Sequence, residues 1–100
     1  MTDRELLDAA ANAAGYAMHS NDDRAPGAYV VIDGEVRHWD PLVDDGDALR
    51  LAVALRISLD MLTHIVDATT GTVMCHEPWG DDHNAATRRA IVRAAAAMAA

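Results

Sequence analysis

"HWDPLVDDGDALRLAV", residues 38 to 53, is the stretch on which the reading of the fold turns. Pro41 has no backbone N–H to give to a sheet ladder, so it ends the β-prone run "EVRHW" just before it. Asp44 then stands at a helix N-cap position with Asp47 three residues on, and Ala48, Leu51, Ala52 and Leu55 recur at helical spacing. The stretch thus closes a strand and opens a helix over about residues 44 to 56. Leu49 and Val53 widen its apolar face, which marks this helix as the expected most buried one.

Upstream, Asp33-Gly34 separates "AYVVI" from "EVRHW", a strong signal for a tight hairpin with strands near 28 to 32 and 35 to 39. "YAMHS" reads as a short strand before the polar turn "NDDRAPG". Thr2 and Glu5 have capping-box spacing, and Leu6, Ala10, Ala13 and Ala14 form one stripe of a first helix, roughly residues 3 to 14, which ends at Gly15. Downstream, "ISLDMLTHIVDA" alternates, with Ile57, Leu59, Met61 and Ile65 on one side and Ser58, Asp60 and His64 on the other, and reads as one long strand. The turn "TTG" leads to the strand "TVMCHEPW", and a final alanine-rich helix is expected over about 83 to 99 with Asp82 as its N-cap. The expected fold is a single small α+β domain over residues 1 to 100, ordered α-β-β-β-α-β-β-α, with three helices on an antiparallel or mixed sheet of about five strands. Leu6, Val30, Leu51, Leu55, Ile65, Ile91 and Val92 are the expected core.

Charge restricts the function classes. Sixteen acids face eight bases, all of them arginine, for a net charge of −8 that phosphate repels. The one dense basic run is "TRRAIVR", and four aromatics offer few stacking platforms, so direct nucleic-acid binding is not expected. Cys75 is the sole cysteine, which leaves no intramolecular disulfide and no thiolate-rich zinc site. "MTDRELLDAA" carries acids where a signal peptide carries bases, and no apolar run approaches the ~20 residues of a membrane span. Neither export nor membrane anchoring is expected.

The aspartates Asp40, Asp44, Asp45 and Asp47 are the densest candidate chemistry. Capping by Asp44 or Asp45, worth on the order of 1 kcal/mol, explains part of the cluster and leaves Asp40 and the remaining carboxylate as a partly exposed negative patch. The spacing does not fit an EF-hand loop, and no neighbouring base or nucleophile makes a catalytic set; magnesium held by two of the carboxylates is the alternative. Cys75 and His76 are adjacent strand residues that point to opposite faces, which reads as a buried thiol and a solvated imidazole. His19, His38, His64, His76 and His83 show no two-histidine helical spacing, so neither a metal nor another cofactor is expected. Trp39 and Trp79 each end a strand; they read as rim-of-core residues, with interface anchoring as the alternative. Arg88, Arg89 and Arg93 read as partners for the aspartates ahead of the second helix or for another protein, rather than as a phosphate site.

"WDPLVDDGDALRLAV" and "ATRRAIVRAAA" resemble paired motifs of small uncharacterised proteins of tailed phages and prophages, similar in layout to the phage ABA sandwich domain and more distantly to NinX-like proteins. The likeness covers residues 38 to 56 and 83 to 96 well and helix one weakly, and Asp40 stands where asparagine is usual. It implies phage origin and an accessory role in the cytoplasm of the bacterial host, and it carries no catalytic residues. Function classes remain open. One is a non-enzymatic inhibitor of a host defence complex, of anti-CRISPR type, whose acidic surface competes with nucleic acid for a host protein or ribonucleoprotein with a basic surface. Asp40, Asp44, Asp45, Asp47, Trp39 and Trp79 would form its contact. Another is a small metal-assisted or nucleotide-binding phage enzyme built on the aspartates, although no Gly-rich phosphate loop accompanies them. The third is a scaffold that homodimerises through the alanine-rich C-terminal helix.

Overall fold

The computed structural model describes residues 1–20, 27–71 and 73–99; the expected polar turn over 21–27 lies outside them except for Gly27. The elements are α1 (Asp3–Ala14), β1 (Ala17–Ser20), β2 (Ala28–Ile32), β3 (Glu35–Trp39), α2 (Asp45–Leu55), β4 (Ser58–Met61), β5 (Ile65–Thr70), β6 (Val73–Pro78) and α3 (His83–Met98). This is the expected α+β class with its three helices. The strands form two separate antiparallel meanders, β1-β2-β3 and β4-β5-β6, in place of one sheet of five.

The difference arises in the segment that reads as one long strand. It folds back on itself: Met61 pairs with Val66, Asp60 with Asp67, and the Leu62 N–H donates to the Ile65 carbonyl at 3.0 Å. The turn, Leu62 to His64, contains no Gly or Pro to announce it. It also shifts the phase of the pattern. Val66 and Ala68 are the buried residues of β5, which leaves Ile65 on the opposite face and outside the buried core.

The Asp33-Gly34 hairpin forms as expected, with Ile32 opposite Glu35 and left-handed φ of 53° and 82° at the two turn residues. The β1-β2-β3 sheet reaches the core cluster through Val30 and Trp39, and Ala28 is also buried. Trp39 is 2 % exposed and meets the Tyr16 ring edge-on at 5.8 Å.

α3 is the hub of the domain. It packs against α1, α2, β5 and β6, and buries Ala86, Ala90, Ile91, Val92, Ala94, Ala95 and Ala96. Small side chains let the neighbouring backbones come close. α2, expected to be the most buried helix, buries only Ala48, Leu51 and Ala52. Its helix neighbours lie on one side, so Leu49 and Val53 remain 61 % and 69 % exposed. Leu6, Val30, Leu51, Ile91 and Val92 are in the buried cluster, with Leu55 partly buried against it. Of the alanines of α3, Ala97 is exposed and Ala85 partly buried, while Ala86, Ala90, Ala94, Ala95 and Ala96 lie inside the fold. Among the described residues no helix is long and apolar enough to cross a membrane.

Candidate functional site

The three expected caps come first because they fix where the helices start. Thr2 Oγ1 accepts the Glu5 N–H at 3.1 Å while Glu5 Oε1 accepts the Thr2 N–H at 3.2 Å. That return bond holds the Glu5 carboxyl below its ordinary pKa. Asp44 Oδ2 accepts the Asp47 N–H at 2.8 Å, and Asp82 Oδ1 accepts the Ala85 N–H at 2.9 Å.

Around the Asp44 cap, the structure brings the four aspartates together but turns two of them inward. Asp47 Oδ2 accepts the Asp40 N–H at 3.0 Å and its Oδ1 accepts from Arg50 at 2.8 Å. Asp40 is 6 % exposed, which corrects its expected place in a surface patch: the chain reverses at Pro41, Asp40 Oδ1 accepts the Leu42 N–H at 3.3 Å, and Gly27 covers the side chain. A Cβ at Gly27 would come within 2.8 Å of Asp40 Cβ. Burial raises the Asp40 pKa; the Leu42 N–H and the His38 charge oppose the rise, and Asp47 adds to it. Trp39, buried beside it, offers no face to a partner.

Asp44 and Asp45 remain exposed. Asp45 is held by Arg88, whose Nη1 donates to it at 2.6 Å while Nε donates to the Leu42 carbonyl at 2.9 Å. Arg89 reaches Asp3 at 3.0 Å and Arg93 reaches Glu77 at 2.6 Å. The three arginines therefore tie α3 to the start of α2, to the start of α1 and to β6. Trp79 is half-buried; its indole N–H donates to the Leu62 carbonyl at 2.8 Å and its ring lies 4.9 Å from that of His83.

Cys75 is partly buried against the core, while His76 is exposed on the other face of β6 and hydrogen-bonded to Asp67. That pair was not anticipated; it follows from the register that sets Asp67 opposite His76. Among the described residues no three His, Cys, Asp or Glu side chains are placed to hold a metal ion, and no buried side-chain N or O lacks a partner.

Also missed by the sequence reading is a groove of about 200 Å³ between α2, α3 and β4, with Ala48, Leu49, Leu59, Met61 and Ile91 in its walls. Periodicity marks these residues as apolar but does not say which of them stay in water. A more polar recess of about 350 Å³ lies between β3 and α2, lined by Tyr16, Arg37, Trp39 and Arg50 among others.

Comparison with known proteins gives no match: no family model fits the chain, and no curated protein or solved structure is significantly similar to it.

Proposed function

We propose that the chain is a phage- or prophage-encoded accessory protein that works by binding, not by catalysis. Its partner is a host protein or ribonucleoprotein complex with a basic surface, and the leading form is an anti-CRISPR-type inhibitor that competes with nucleic acid in the host cytoplasm. The phage part rests on the motif resemblance. The charge distribution carries the binding part. Arg37, Arg50, Arg88, Arg89 and Arg93 each lie within hydrogen-bonding or ion-pairing reach of a carboxylate of the same chain, at 2.6 to 3.4 Å. The one basic run is thereby neutralised internally in a chain of net charge −8, while Asp44, Asp60, Asp81 and Asp82 are exposed.

Asp40 and Asp45 are poor positions for a charge test, because one is buried and the other holds Arg88. Asp60 and Asp81 are exposed and take no part in the caps and ion pairs above. The double variant Asp60→Arg, Asp81→Arg should keep the wild-type melting temperature and lose capture of the host partner. Wild-type capture should weaken steeply with salt and yield to added nucleic acid. Capture that ignores both salt and the double reversal would rule out charge-driven competition.

A further inference from the structure

We infer that the groove between α2, α3 and β4 docks a cationic amphipathic segment of a partner protein, a reading that rests on the protein-binding function proposed above. The Arg88–Asp45 pair near the two helix starts, with Ala48 and Ile91 both lining the groove, sets α2 and α3 side by side with their N-termini at one end. Leu59 and Met61 of β4 form the opposite wall. Leu49 and Met61 line the groove while 61 % and 58 % exposed, and Val53, one helical turn beyond Leu49, extends the apolar strip at 69 %. Fully covering a side chain of this size is worth about 1.5–3 kcal/mol, so the strip rewards an apolar partner face.

Charge selects that partner. At the end where the helices begin, Asp44, Asp45, Asp81 and Asp82 are all exposed. Among the described residues the one basic side chain lining the groove is Arg88, which is 14 % exposed and committed to Asp45 and the Leu42 carbonyl. Two helix N-termini contribute about half a positive charge each, so with Arg88 they offset about half of the four carboxylates and the end stays negative. The complement is a segment with leucine-like residues at helical spacing and lysine or arginine reaching past them toward the aspartates. An acidic segment or a nucleic-acid strand is repelled.

The probe is a synthetic peptide of leucine and lysine at helical spacing, titrated into the isotopically labelled full chain and followed by NMR. Shifts should centre on Leu49, Leu59, Met61, Asn84 and Ile91. Leu49→Gln with Met61→Gln, both at exposed sites, should leave the spectrum folded and weaken binding by about tenfold or more, the range expected for losing apolar anchors. A leucine–glutamate counterpart should not bind. Shifts centred elsewhere, equal binding by a lysine peptide lacking leucine, or unchanged binding by the double variant would each overturn the assignment. If that double variant also keeps salt-sensitive capture of the host partner, the groove is wrong and the acidic binding function stands. If peptide binding maps to the groove while wild-type capture ignores salt, the charge-driven competition fails and the groove stands.

Discussion

Asp40 shows how a residue that looks like surface chemistry becomes architecture. Its carboxylate is buried and accepts the Leu42 N–H, and burial lifts its pKa above the ordinary carboxylate value although that N–H and the His38 charge oppose the rise. The folded state therefore holds this proton more tightly than the unfolded chain. Stability from this group falls as pH rises through the interval between the unfolded and folded pKa values, and at neutral pH the ionised side chain is a net cost. Asparagine keeps an oxygen for the Leu42 N–H and carries no charge. Asp40→Asn should raise the melting temperature at pH 7, and the gain should shrink to nothing as pH drops below the ordinary carboxylate range. Melting curves of both proteins across that interval decide it; a wild type that is the more stable at neutral pH would show that the charge itself is needed. The caps at Thr2, Asp44 and Asp82 were legible in the sequence because a cap is decided within three residues. The burial of Asp40 was not, since it depends on Gly27 and Asp47, contacts that no local pattern encodes.

At the scale of elements, the same division between local and distant information explains the split strand and the exposed helix face. Alternation holds from Ile57 to Met61 and breaks at Leu62 and Thr63, but without a Gly or Pro the break does not identify itself as a turn, which the pairing of β4 with β5 reveals. The apolar face of α2 is wider than the surface its neighbours cover, and periodicity measures the face, not the cover. The arginines of α3 decide how the elements are joined, and their environments differ enough to rank them. Arg88 is 14 % exposed and directs two N–H groups at different oxygens, whereas Arg89 is 38 % exposed and makes a surface pair with Asp3. Arg88→Met should cost about 2 kcal/mol, the scale of a charge-assisted bond at a part-buried carbonyl. Arg89→Met should cost under about 1 kcal/mol, as exposed ion pairs do. Lysine at 88 should rescue little, because an ammonium cannot reproduce the fork that serves both oxygens. Denaturant midpoints for the three variants would show it, and equal costs at 88 and 89 would remove Arg88 from its joining role.

For the whole molecule, the question is whether two small sheets on three helices make one cooperative unit. Neither three-stranded sheet closes its own core: one enters the shared cluster through Val66 and Ala68, the other through Val30 and Trp39, and α3 fills the middle with side chains no larger than Val92 and Ile91. A domain of this length has only about 5–15 kcal/mol of stability to distribute. Ala94 is fully buried on α3, so Ala94→Leu inserts three carbons into an interior position. That should cost about 1–3 kcal/mol, and each kcal/mol should lower the melting temperature by about 4–8 °C in a chain of this size. The two tryptophans are natural reporters of the two ends, since Trp39 closes β3 and Trp79 follows β6 with its indole on the Leu62 carbonyl. In Trp79→Phe the fluorescence reads the β1-β2-β3 end, and in Trp39→Phe it reads the β4-β5-β6 end. With one core, adding Ala94→Leu to either background lowers the fluorescence midpoint and the helical circular-dichroism midpoint together. If the β1-β2-β3 end were a satellite on a separate α3 core, the Trp39 signal would keep its midpoint while the helical signal moved, and the two curves would part.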